Sequence, residues 1–362
     1  MSTKRSFAGI FLVLVFGYFY MYSMKVDVFA FIELRRRIKT VAFTNSNSFL
    51  PVVYGDYATW LRNSSKCPSL PKRIHQTWKN ELIPVAMKDA IASWNEIHPD
   101  YEYWFWTDEL AEEFIAKRFP NYISMYRSYK LPIMRADAQR YFILYEFGGI
   151  YADLDMKVLR RLDDLVSVHT ALIPQDHAVH RFIYWQVEDI PLNALMFSVP
   201  RHAFFRKVIK DLPKVNVETK SDDFLSKTGP FMLTREIREY NQTITNNSSV
   251  CDSVFLAPHY KFVPHFSELI TNELRKSCTK IRIEYKNKEG MKWCKYLDKN
   301  SYRNPAKPLS TQYTVHQFAN TYIRSIGSKT VHINHLVHKR FQLKQFLEQF
   351  YNSNGPDTTL FQ

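Results

Sequence analysis

The sequence predicts an α/β fold built on a mostly parallel, Rossmann-like sheet, and three observations predict it. Strand and helix patterns alternate along the body from Leu70 onward, the signature of helices layered over parallel strands. A helical stripe opening at Pro132 is stopped by Gly148-Gly149, and a strand pattern ending in Asp153-Leu154-Asp155 follows at once. The 362-residue chain is 46% hydrophobic and 15% aromatic with only 9 Gly, enough apolar matter for a sizeable core.

The elements follow in order. Residues 1–5, with Lys4-Arg5, read as a cytosolic tail. Residues 6–24 carry no charge over nineteen positions and just suffice for a transmembrane signal-anchor helix. A cleaved signal peptide is the rival reading, but no small-x-small cleavage site is evident. Residues 25–66 read as a stem, 67–350 as a lumenal body and 351–362 as a C-terminal tail. The basic N-terminal flank favours a single-pass type II orientation in the Golgi or ER membrane.

The triplets at Asn63, Asn241, Asn246 and Asn247 have the form of glycosylation acceptors and fit a lumenal body. Cys67, Cys251, Cys278 and Cys294 all follow the anchor, and an even count in an oxidising compartment permits two disulfides in any of three pairings. Of the net charge of +14, residues 1–40 supply +5 (7 basic, 2 acidic) and residues 201–310 supply +9 (21 basic, 12 acidic). The second block is interspersed with acids and has no repeated basic motif, so nucleic acid is not an expected partner. Anionic phosphates fit better: nucleotides, lipid head groups or the membrane surface.

Within the body, a strand runs to His75-Gln76-Thr77-Trp78. A helix follows at Val85–His98, then a strand at Tyr101–Trp106. Thr107 is placed as the N-cap of a helix carrying acids in its first turn, and Pro120 stops it. Pro132 suits a first helical turn, and Ala136, Arg140, Ile143 and Phe147 keep helical spacing. Asp137 and Arg140 are then neighbours at i, i+3, a pair that reads equally well as a solvated ion pair or as a sugar-orienting one. After the glycine stop, Ile150, Ala152 and Leu154 alternate with Tyr151, Asp153 and Asp155. If the strand persists, both acids emerge on one face at a strand's carboxyl end, where open α/β sheets bind ligands.

Paired carboxylates suit a hard divalent cation, Mn²⁺ or Mg²⁺, held together with substrate phosphates. Such an ion offsets charge building on a departing diphosphate. Alone the motif is weak, since 18 Asp in 362 residues make roughly one Asp-x-Asp expected by chance.

The stretches Arg135 to Tyr141 and Gly148 to Asp155 resemble the DxD sugar-binding glycosyltransferases of family 32. That family includes initiating α-1,6-mannosyltransferases and fungal inositol-phosphorylceramide mannosyltransferases. Pro71 to Trp78, Phe105 to Asp108, Ser198 to His202 and Thr228-Gly229-Pro230 add four more ordered blocks. The resemblance implies a GT-A type nucleotide-sugar-binding fold, a donor such as GDP-mannose or a UDP-hexose, Mn²⁺, and retention of anomeric configuration. It implies that Asp153 and Asp155 hold metal and diphosphate, that Asp137 and Arg140 hold the donor sugar, and that His75, Gln76, Thr77 and Trp78 line the nucleotide pocket. Tyr313 to His316, followed by Asn320-Thr321-Tyr322, resembles the family's late His block, with Thr-Tyr standing where Ser-Trp is usual. His316 then becomes a third metal contact. Tyr151 joins the donor site, and Asn193 the donor or acceptor site, the latter with a local backbone role as its alternative.

The expected protein is therefore a hexosyltransferase acting on a glycan or glycolipid acceptor, sphingolipid included, with room for an accessory subunit. A non-catalytic sugar-binding subunit and a metal-dependent phosphoesterase are the alternatives; the latter normally gathers more acids and histidines. Glu188 and Asp189 are available to an acceptor hydroxyl. His332, His335 and His338 invite a zinc reading that helical spacing would splay apart.

Overall fold

The computed structural model describes residues 67–167, 169–218, 223–243, 250–284, 287–305, 310–319, 329–337 and 340–361. The expected tail, anchor and stem at 1–66, the triplets at Asn63, Asn246 and Asn247, the Asn320-Thr321-Tyr322 block and His338 lie outside the described residues. Among those residues, no helix is long and apolar enough to cross a membrane.

The sheet opens with β1 (Arg73–Trp78), whose four central residues are buried. Strand β2 (Leu82–Pro84) leads through a short 3₁₀ turn into α1 (Lys88–Ile97), inside the expected helical span. Strand β3 (Glu102–Thr107) ends on Thr107, whose hydroxyl accepts from the Leu110 N–H at 3.2 Å and caps α2 (Asp108–Arg118). Pro120 both ends α2 and opens α3 (Pro120–Ser128), because proline is tolerated only in a first turn. Helix α4 (Pro132–Phe147) then leads into β4 (Gly149–Ala152) and β5 (Met156–Val158). After β6 (Ala171–Pro174) and β7 (Leu195–Ser198) come α5 (Ala203–Glu218), α6 (Pro230–Thr243) and β8 (Phe255–Ala257). Helices α7 (Thr271–Glu284) and α8 (Lys288–Lys299) form a hairpin. Strands β9 (Thr314–His316) and β10 (Thr330–His332) and helix α9 (Leu343–Asn354) complete the order.

The main sheet has the order β3-β1-β4-β7-β6-β8. Strand β1 pairs in parallel with β3 and β4, and β6 in parallel with β8. Strand β7 runs antiparallel to both β4 and β6, so five strands point one way and one is reversed. The expected mostly parallel sheet is therefore found, with β7 as its one antiparallel member. Strand β7 follows β6 through residues 175–194 and runs back beside it, with β4 on its other side.

Apolar layers cover both faces. One centres on Trp104, Trp106, Phe114 and Phe142 beneath α2 to α6, the other on Ile74, Ile91, Trp94 and Phe105 beneath α1. A smaller cluster underlies the α7–α8 hairpin. Of the three possible pairings, the structure takes Cys67–Cys251 and Cys278–Cys294. The expected boundary at 350 falls inside α9, which stacks Phe346 against Trp104 at 5.0 Å. Buried Asp357 pairs with Arg201, and Leu360 joins the core. Residues 351–360 thus belong structurally to the body.

Candidate functional site

The site begins at two glycines that admit no side chain. Gly148 has φ +60°, and a Cβ there would lie 2.5 Å from Pro200 Cδ; at Gly149, φ is +95° and a Cβ would meet Arg73 at 2.8 Å. This close packing aims β4 at the cleft. The strand stops at Ala152, so the expected alternation through Asp155 does not form. Instead the Asp153 N–H donates to Ala194 O (2.8 Å) and the Met156 N–H to Asp153 O (3.0 Å), closing a tight turn.

A non-local pairing then completes the cluster. Strand β5 lies antiparallel to β9 with Met156 opposite His316. Oxygen atoms of Asp153 and Asp155 and a ring nitrogen of His316 converge within 4.8 Å of one another. His316 Nε2 stands 3.3 Å from Asp155 Oδ1, while its buried Nδ1 has no hydrogen-bond partner. The Ala319 N–H donates to Asp155 Oδ2 at 2.9 Å. Burial pushes Asp155 up, but His316 and that N–H prevail and hold it below the usual carboxylate range. Burial and then Asp155's charge raise Asp153 against the pull of Arg140. Burial alone would depress His316, yet the Asp155 carboxylate beside it holds its pKa above the ordinary value. Two carboxylates and one imidazole, whose Nδ1 has no hydrogen-bond partner, suit a divalent cation such as Mn²⁺ or Mg²⁺.

Helix α4 forms the adjoining wall. Asp137 and Arg140 are 3% and 2% exposed, which overturns the solvated-pair reading. Their side chains meet at 3.0 Å, and Arg140 also stands 3.4 Å from Asp153. Arg140 donates to Asn193 O (2.7 Å) and Ala136 O (3.1 Å), so its guanidinium is fixed in place. Asn193 Nδ2 donates to Asp137 Oδ1 at 2.9 Å, bringing this expected residue to the site. Burial pushes the Asp137 carboxyl up to about 6 despite Arg140.

Several expected ligand contacts prove to be supports. His75 is fully buried: Trp106 Nε1 donates to its Nδ1 (3.1 Å), leaving Nε2–H to donate to Gly148 O (2.8 Å). With both nitrogens used and its pKa lowered to about 3 by burial, His75 fixes the glycine stop and does not line a pocket. Gln76 is equally buried, accepting from Tyr103 OH (2.5 Å) and donating to Asp153 O (3.2 Å). Thr77 bonds the Tyr151 hydroxyl (3.1 Å), and Tyr151 donates to Asp153 Oδ1 (2.8 Å) beneath the Arg140 guanidinium. The reason is the alternation of a sheet covered on both faces, which turns the four central β1 side chains into its layers. Trp78 remains part-exposed, with its ring N–H donating to Leu82 O at 3.1 Å.

Sequence reasoning missed Thr228 as a site residue. Its hydroxyl donates to Asp137 Oδ2 at 3.1 Å, and Tyr141 OH donates to its carbonyl at 2.5 Å. Thr228-Gly229-Pro230 marks a turn into a helix, but nothing in spacing links it to a residue 91 positions away. Asp189 is occupied by Gln175 (2.6 Å), while Glu188 is exposed. His332 pairs with Glu81 at 3.0 Å from a strand, and His335 follows in a 3₁₀ turn, so these two do not stand on the regular helix that the splaying argument assumed.

Comparison with known proteins fits this geometry. The family model for a glycosyltransferase sugar-binding region containing a DXD motif matches residues 84–172, which include Asp137, Arg140, Tyr151, Asp153 and Asp155. Inositol phosphoceramide mannosyltransferase 2 of Schizosaccharomyces pombe is 33% identical over 246 residues, 65% of this chain and 66% of that protein. Mannosyl phosphorylinositol ceramide synthase CSH1 of Saccharomyces cerevisiae is 39% identical over 48% of this chain and 44% of that protein. The initiation-specific alpha-1,6-mannosyltransferase of Candida albicans is 24% identical over 50% and 55%, respectively. The chain thus spans about half to two thirds of the length of these curated relatives. On its matched region and the DXD cluster inside it, the chain belongs to the glycosyltransferases whose sugar-binding region contains a DXD motif.

Proposed function

We propose that this protein is a retaining hexosyltransferase moving mannose, or alternatively galactose, from GDP-mannose or a UDP-hexose to a glycolipid acceptor. An inositol-phosphate sphingolipid is the favoured acceptor, and the Golgi or ER lumen the favoured compartment. The observation that carries the reading is the convergence of Asp153, Asp155 and His316 within 4.8 Å, beside the buried Asp137–Arg140 pair. The names of the relatives support mannose and a ceramide-linked inositol phosphate.

In this reading Asp153, Asp155 and His316 hold Mn²⁺ or Mg²⁺, which supplies charge neutralisation for the diphosphate. Arg140 places a fixed positive charge beside Asp153, where negative charge accumulates as the sugar–diphosphate bond breaks. Asp137, oriented by Asn193, Thr228 and Arg140, accepts from hydroxyls of the donor sugar. The acceptor oxygen bonds to the anomeric carbon on the face the diphosphate leaves, and its proton passes to the departing diphosphate. Holding both reactants on fixed groups supplies much of the acceleration.

The test is donor hydrolysis and lipid transfer by the full chain in detergent, with and without Mn²⁺, using GDP-mannose and UDP-galactose. Mn²⁺-dependent turnover that disappears in Asp153→Ala is expected, and undiminished turnover in that variant would sink the site. Binding of a nucleotide sugar with no turnover toward any acceptor would instead assign a sugar-binding subunit.

A further inference from the structure

We propose that the α7–α8 hairpin docks on an anionic lipid surface and so brings the acceptor's head group to the site; this rests on the glycolipid reading above. The residues are legible as two stripes. On α8, Lys288, Lys292, Lys295 and Lys299 recur at i, i+4, i+7 and i+11, all exposed. They stand opposite the buried Gly290, Cys294 and Leu297. On α7, Lys276, Lys280 and Ile283 keep the same spacing, with the exposed Glu273 ahead of them on the same face. Leu269 lies in the short 3₁₀ turn Glu268–Ile270 that precedes the helix. Leu269 is 49% exposed and Ile283 is 73% exposed.

A merely solvated face explains the lysines but not a largely exposed Ile283 on the same helix face, with Leu269 exposed in the turn before it. Aliphatic and lysine side chains sharing one helix face are what an interfacial helix presents, with the apolar groups entering the head-group layer and the ammonium groups meeting lipid phosphates. Among the described side chains, three acids lie on these two helices beside the lysines, Glu273, Glu289 and Asp298, against the six lysines named. Asp298 pairs with Arg282, and Glu289 with Lys292 at 3.3 Å. The Cys278–Cys294 bridge ties the two buried faces together, so the outer stripes are held as one rigid unit.

Continuity with the donor site is the second argument. From the hairpin, Trp293 lies 5.8 Å from the ring of His259, which lies 5.0 Å from His177. His177 lies 6.1 Å from His180, His180 lies 5.1 Å from Phe318, and Phe318 lies 4.1 Å from His316. An unbroken row of rings therefore connects the lysine-bearing hairpin to the candidate metal ligand. Phe318 holds φ +51°, a conformation that a bulky residue keeps only where its surroundings impose it.

The experiment uses the full chain reconstituted in phosphatidylcholine vesicles with or without about 30% phosphatidylserine, an environment that strengthens association roughly fivefold per lysine near the surface. An environment-sensitive fluorophore on Ile283→Cys reports docking through quenching by brominated lipids. Quenching is expected in phosphatidylserine vesicles, lost at about 1 M salt and lost when Lys288, Lys292, Lys295 and Lys299 are all changed to Gln. That quadruple variant should weaken docking by roughly several hundred-fold, about fivefold for each of the four lysines, and lose at least about tenfold in transfer to vesicle-borne acceptor while keeping its donor hydrolysis unchanged. Quenching that ignores lipid charge, or that survives the quadruple change, overturns the proposal. Docking is read without any donor present, so a chain that docks but transfers nothing overturns the function reading alone.

Discussion

The two walls of the candidate site are built on opposite terms. Around α4, every polar atom of Asp137 and Arg140 described above already has a protein partner, and the pair is almost wholly buried. Across the cleft, Asp153 keeps 31% of its side chain exposed and His316 has a ring nitrogen without a partner. A saturated network is a rigid, preorganised reference, since removing one member strands the others in low dielectric. An unsaturated cluster of like charges is held at a cost and gains from a ligand. The difference separates a wall whose groups are already fixed in position before the donor arrives from a cluster left with an open ligand position.

That contrast can be broken from either side. The largest effect is expected from Arg140→Ala, which leaves Asp137 and Asp153 facing each other without their cation. Breaking a buried pair in this way costs about 3–5 kcal/mol, to be read from denaturant unfolding, and activity should vanish with it. An Asp153→Asn protein should behave oppositely, losing about 100-fold or more in turnover with its circular dichroism and unfolding midpoint little changed. Equal stability losses in the two variants would erase the distinction between the walls.

The pH dependence sharpens it further. Asp137 titrates near 6 in the fold against 3.8 for the unreacted side chain. The folded state therefore holds this proton more tightly, and the stability it contributes is fully present below about pH 4 and lost as pH rises through 6. Replacing Asp137 by Asn should remove a slope worth about 3 kcal/mol across that window, measured by urea unfolding at several pH values. An unaltered slope would show that Asp137 ionises normally. The smallest effect belongs to Thr228→Val, which removes one hydrogen bond to a buried carboxylate. About 1 kcal/mol of stability should go, together with a rise in donor KM if Asp137 binds sugar and no such rise if it does not.

Local chemistry made the frame of this site readable. Thr107 as a cap, Pro120 and Pro132 at first turns, and Gly148-Gly149 as a stop are all decided within a few residues, so their structures follow from neighbours alone. The same locality misled where it was extended too far. Alternation from Ile150 through Asp155 is a sound strand pattern, yet hydrogen bonds to Ala194 and within Asp153–Met156 end the strand three residues early. His75 and Gln76 carried the chemistry of ligands and turned out to be buried supports, because a covered sheet leaves no open face.

The sequence by itself determined the α/β class, the α4–β4 unit, the Asp-x-Asp and its neighbours Asp137 and Arg140, since helix periodicity and turn chemistry act at short range. Only the tertiary structure decided the reversed β7, the two disulfide pairings, the burial of Asp137–Arg140 and the approach of Thr228. It also decided that Asp155 and His316, 161 positions apart, face one another across β5 and β9. Contacts of that separation depend on how layers pack, and packing is a property of the whole chain that no short stretch records.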